Sequence, residues 1–133
     1  MPKLNLAGIA VASLAFYLIG YLWYGVIFTD AWMAAEGVTP SEAQEQSPVY
    51  MIGGLLITIL QVIGLSLVLK WKGATGMGAA VTTAAIVWAL FALPFCMYAY
   101  LYLPRHDSTL LMIDASHLLA GWVVAAAILS RFK

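Results

Sequence analysis

Charge is what this chain has least of. Asp, Glu, Lys and Arg together make up 9% of its 133 residues, where a soluble domain carries about 25%. So few charges cannot cover a globular surface, so lipid must supply part of the solvent. Cysteine is almost absent as well. The single Cys96 lies in an apolar run, which excludes a disulfide within the chain and leaves no metal–thiolate motif. Net charge is zero and there is no basic cluster, so nothing points to nucleic acid. The long apolar stretches contain no Lys or Arg and only one acid, Asp114.

What is present is apolar. Hydrophobic residues make up 64% of the chain, with a mean hydropathy of +0.95. Four runs, 4–28, 49–69, 74–103 and 109–130, are long enough to span, since a bilayer core of about 30 Å needs roughly 20 helical residues. The expected fold is a single all-α integral membrane domain over 1–133, with four transmembrane helices in a bundle. The first run has small residues at cleavage-like spacing, Ala10-Val11-Ala12, but the apolar stretch before them is too short for a signal peptide and the run continues beyond them. It is read as an uncleaved helix.

Lys3, Lys70, Lys72, Arg131 and Lys133 fall on one side of the expected membrane and only Arg105 on the other. Both termini are therefore expected in the cytoplasm, and the chain in the inner membrane. In the first outer loop, Thr39-Pro40-Ser41-Glu42 reads as a capping box with Pro at the first helical position. It predicts a short amphipathic surface helix. The third run exceeds the hydrocarbon core, and Pro94 offers a kink because it lacks an N–H and clashes with the Leu90 carbonyl.

Small residues mark packing faces. Gly8, Ala12, Phe16, Gly20 and Tyr24 recur every four residues in the first run, a spacing that lets helices approach closely. Gly54 and Gln61 share a face of the second run, and the Gln61 amide needs a partner in hydrocarbon. Gly121 is a further packing position in the fourth. The third run carries Trp88, Phe91, Phe95, Tyr98 and Tyr102 at heptad spacing. They are read as bundle core and interface belt, with the wall of a ligand pocket as the alternative.

Asp114 and His117 lie three residues apart, hence on one helix face. Ionisable groups inside a span are costly and usually turn to a protein interior or a wet cavity. Together with Tyr24, Tyr98, Tyr102 and Arg105 they form the candidate ligand or proton-relay set, expected to converge in the outer leaflet. The structural alternative is that Asp114 pairs with Arg105 or a Tyr while His117 satisfies a backbone carbonyl. One buried His and one Cys make a poor metal set. No metal and no cofactor are expected.

The segment Phe16-Tyr17-Leu18-Ile19-Gly20-Tyr21-Leu22-Trp23-Tyr24-Gly25-Val26-Ile27-Phe28-Thr29-Asp30-Ala31-Trp32 resembles the signature of a family of small bacterial membrane proteins. They are classed as a domain of unknown function, number seventeen sixty-one. Gly20, Trp23-Tyr24, Phe28 and Trp32 carry the resemblance, with a weaker match at Asp114 and His117. Gly25 and Val26 stand where a small polar residue and Pro are expected, a departure that bears on the loop geometry. The resemblance implies a four-helix bacterial membrane protein and assigns no activity.

Three functions fit. The first is a non-enzymatic protein acting by association, as a homo-oligomer or an accessory subunit of a larger membrane complex. The second is a small proton-coupled transporter or channel using Asp114 and His117. The third is a quinone- or lipid-binding protein. No nucleophile–base pair, haem motif or phosphate loop favours an enzyme.

Overall fold

A computed structural model describes residues 4–36, 48–102 and 108–132. Among them the regular elements are helical. Asn5 starts α1 (Leu6–Leu22): its side chain accepts the Gly8 N–H at 2.9 Å, filling one of the donors that a helix start leaves open. The helix widens into a π-turn over Trp23–Ile27, closed by the Phe28 N–H on the Trp23 carbonyl at 2.9 Å. Then follow α2 (Thr29–Glu36), α3 (Pro48–Lys72), α4 (Gly76–Val87), a second π-turn (Trp88–Ala92), α5 (Leu93–Tyr102) and α6 (Ser108–Leu129).

Among the described residues four stretches are long and apolar enough to cross a membrane: Leu6–Ile27, Met51–Lys72, Gly76–Tyr102 and Ser108–Leu129. The turn between the second and third uses two left-handed glycines, Gly73 at φ 71° and Gly76 at φ 83°, where a side chain would be strained. The start expected for a surface helix at Thr39-Pro40 lies outside the described residues. A separate short helix, α2, stands ahead of it. The third span is not one continuous α-helix. Its hydrogen bonding turns π over Trp88–Ala92, and the Leu93 N–H reaches back to the Trp88 carbonyl. Pro94 follows directly, as the second residue of α5.

The fourth span is central. It packs most extensively on the first span and next on α4, while the second span leans mainly on the first. The second and third spans barely meet. Small residues explain this order. Ala115, Gly121, Ala125 and Ala126 are buried on α6, Gly8 and Ala12 on α1, and Ala80 and Ala84 on α4. In lipid, helices associate through close van der Waals contact rather than a hydrophobic drive, and small residues permit that contact. Phe16, only 1% exposed, lies over Gly121 so closely that a Cβ there would sit 2.3 Å from its Cε1. A Cβ on Gly8 would sit 2.7 Å from Phe132 Cβ.

The aromatic stripe of the third span corrects an expectation. It is not bundle core. Phe91, Phe95, Tyr98 and Tyr102 are exposed, Phe95 to 75%, and only Trp88 turns inward. The heptad reading assumes one unbroken helix. The wider π-turn at Trp88–Ala92 breaks that register, while the small face of α4 docks on α6.

Candidate functional site

The polar turn of the fourth span draws a partner from each of two neighbouring spans. Tyr24 donates its hydroxyl to Asp114 Oδ1. Trp23 Nε1 donates to Ser116 Oγ at 2.9 Å, and Ser116 passes its own proton to the Ile113 carbonyl at 3.1 Å. From the other side, Trp88 Nε1 donates to the Ala115 carbonyl at 2.8 Å, using a lone pair that the helix leaves free. Both tryptophans open a π-turn. The two irregular turns thus aim two indole N–H groups at adjacent residues of one helix. An indole N–H without an acceptor in hydrocarbon costs several kcal/mol, so this clasp ties the first, third and fourth spans together. Trp32 on α2 closes over it, edge-on to Tyr24 with ring centroids 5.9 Å apart.

His117 is held differently. It shares a helix face with Asp114, but Tyr24 lies between them. The Tyr24 ring meets the imidazole edge-on at 5.1 Å, and Phe16 packs beside it at 5.4 Å. Among the described residues, neither ring nitrogen has a hydrogen-bond partner. Nε2 lies over Gly20, 3.1 Å from where a Cβ would be. On that side the chain opens into a groove of about 510 Å³ between the first and second spans. His117, Phe16 and Gly20 line it on one side, with Gly54, Thr58 and Gln61 on the other. Phe16, Gln61 and His117 each fall within two residues of the midpoint of their span. His117 thus lies near the middle of its span, on the Ser108 side of the midpoint.

The expected set does not assemble as a whole. Tyr24, Asp114 and His117 come together. Tyr98 and Tyr102 do not join them; they stack on each other, centroids 6.1 Å apart, on the outer face, exposed to 63% and 74%. Arg105 lies outside the described residues. Of the packing positions, Gly8, Ala12 and Gly121 are buried. Gly20 faces His117, and Gly54 faces Tyr17 with room to spare. Gln61 takes the Trp122 indole N–H on Oε1 at 3.0 Å. No group of three or more His, Cys, Asp or Glu gathers among the described residues.

Sequence reasoning marked Trp23 through the family resemblance but gave it no partner, and it did not single out Ser116 or Trp122. The signal was available, since every Trp buried in an apolar span needs an acceptor. What sequence cannot say is which acceptor each one finds.

Apolar helices of membrane length, with their polar groups turned toward one another, define a small multi-pass membrane protein. The chain belongs to the family DUF1761, described as a protein of unknown function, whose model matches residues 7–130. No curated protein and no solved structure matches the chain.

Proposed function

We propose that this protein is a membrane-embedded binding protein that holds a lipid-soluble molecule in the groove between its first and second spans. The observation that carries the reading is His117: an imidazole at mid-membrane, without a hydrogen-bond partner among the described residues, lining a groove of about 510 Å³. A polar group at that depth is costly unless something meets it. Sites of this size, mostly apolar with a few placed polar groups, are the usual form of small-molecule sites. An acyl probe carrying a diazirine, reconstituted with the protein and illuminated, tests it. Labelling should concentrate on Met51 and Tyr17, and Gly54→Leu, which fills the groove, should reduce it to the level of other lipid-facing positions. Equal labelling of all lipid-facing positions in the unmodified protein would overturn the reading.

Association with a second copy or a larger complex is a second reading. It is supported by the outward aromatic face of Phe91, Phe95, Tyr98 and Tyr102, and by Gly53 and Gly64, which have nothing within 4 Å. A proton relay through Asp114 and His117 has less support, because Asp114 is engaged by Tyr24. The excess of Lys and Arg at the termini and the Lys70–Lys72 turn favours cytoplasmic termini, and the family resemblance favours a bacterial inner membrane.

A further inference from the structure

Resting on that reading of the groove, the hydrogen-bond inventory of its walls assigns the occupant: we infer that it is an uncharged lipid whose head is a planar ring bearing carbonyl oxygens, a quinone-type head. The inventory starts at Gln61. An amide side chain can present either its oxygen or its nitrogen, and the indole of Trp122 decides which. Indole is a donor only, and it sits 3.0 Å from Gln61 Oε1. That contact fixes the orientation of the amide, with one oxygen lone pair on Trp122 and the NH₂ group turned to donate. One of its hydrogens makes a long contact of 3.5 Å to the Ile57 carbonyl. The other is free for the groove.

The hydroxyls are committed in the opposite sense. Thr58 donates to the Gly54 carbonyl at 2.8 Å and Tyr17 to the Met51 carbonyl at 3.1 Å. Their protons are used within or between helices, so neither serves as a donor to a ligand. Among the described lining side chains Tyr21 also carries a hydroxyl donor, toward the Ile27 end of its span, and the donors nearest mid-span are Gln61 and His117, the imidazole through whichever nitrogen carries its proton. Both lie at mid-membrane. A ligand that meets the Gln61 amide needs an acceptor oxygen, and a second acceptor suits His117 when its N–H is the nitrogen turned to the groove.

Charge excludes the common alternative. Among the described residues no Lys or Arg lines the groove. An anionic phosphate head at mid-membrane would have no counter-charge, at a cost far above the gain from two neutral hydrogen bonds. The walls favour a flat head. Gly20 and Gly54 leave the facing surfaces without side chains, and a Cβ on Gly54 would meet only Tyr17, at 3.8 Å. The groove volume accommodates a ring and the first part of its tail, and the rest of the tail extends into lipid.

Nanodiscs carrying the full chain, with its Gln side-chain amides ¹⁵N-labelled, test the assignment. They are titrated with decyl-ubiquinone, with a diacylglycerol, with phosphatidylglycerol, and with dodecane as a tail-only control. The quinone should shift the Gln61 side-chain amide resonance and saturate, and Gln61→Leu should weaken its binding about tenfold, the loss of one hydrogen bond. The shift in the unmodified protein keeps the test valid if the variant folds poorly. If diacylglycerol or dodecane occupies the groove while the quinone leaves the Gln61 amide unmoved, the quinone assignment falls and the groove reading stands. If phosphatidylglycerol alone moves that amide, the argument from charge is wrong and the assignment falls. If no probe enters the groove, both fall.

Discussion

Tyr24 donates its hydroxyl to Asp114 while its ring stands edge-on to His117, ring centroids 5.1 Å apart. Two ionisable groups on one helix face are thereby given separate tasks. Asp114 is drawn into the clasp that joins three spans. His117 is left with aromatic neighbours and an open side. Replacing Tyr24 by Phe keeps the ring and removes the donor. Stability to unfolding in mixed micelles should fall by about 1–3 kcal/mol, the cost of leaving a buried acceptor unmet. Asp114→Asn, which still offers an oxygen, should lose less. No loss in Tyr24→Phe would show that the hydroxyl is not structural.

The two indole N–H groups reach adjacent residues, Ser116 and Ala115, from opposite sides. Trp23→Phe and Trp88→Phe should each cost about 0.6 kcal/mol, with an upper bound near 1.7, the range of hydrogen bonds between membrane helices. Because both act on one turn of α6, the double variant should depart from additivity by at least about 0.5 kcal/mol. A double-mutant cycle measures this directly, and strict additivity would argue that the two contacts are independent.

Glycines of the same composition should behave in opposite ways. Gly121→Ala puts a methyl group 2.3 Å from Phe16 Cε1 and should cost about 1–3 kcal/mol by overpacking. Gly64 has nothing within 4 Å. Gly64→Ala should be neutral or stabilising, by up to about 1 kcal/mol from helix propensity. Thermal unfolding of the two variants under one condition checks the contrast.

The spans and the first-span ridge were legible in the sequence because both follow from simple periodicity. Runs of roughly 20 apolar residues announce the helices, and Gly8, Ala12, Phe16, Gly20 and Tyr24 repeat at the helical spacing that brings them to one face. Asp114 and His117 stood out because ionisable groups are rare in such runs. The π-turns were not legible. They change the hydrogen-bond register without any composition signal, and that change sends Phe91, Phe95, Tyr98 and Tyr102 outward while Trp88 points in. The separation of Asp114 from His117 was hidden for a different reason. It depends on a residue of another helix, Tyr24, which no spacing within the fourth span reveals.

The outward stripe gives a test of exposure. With Cys96 replaced by Ser, a spin label at Phe95 should collide freely with oxygen in the lipid phase, and one at Ala84 should not. Exposure at Phe95 is expected if the chain acts alone. Protection there at high protein-to-lipid ratio, relieved by dilution, would support association through this face.

His117 carries the central claim, and its imidazole can be observed directly. The chain has two histidines, so His106→Gln leaves His117 as the only imidazole ¹⁵N signal in a labelled sample. Adding a lipid-soluble carbonyl probe to nanodiscs of this variant should shift the His117 nitrogen resonances, and Gly54→Leu, which fills the groove, should abolish the shift. Resonances that stay unchanged while the probe partitions into the bilayer would contradict the account and leave His117 a packing residue.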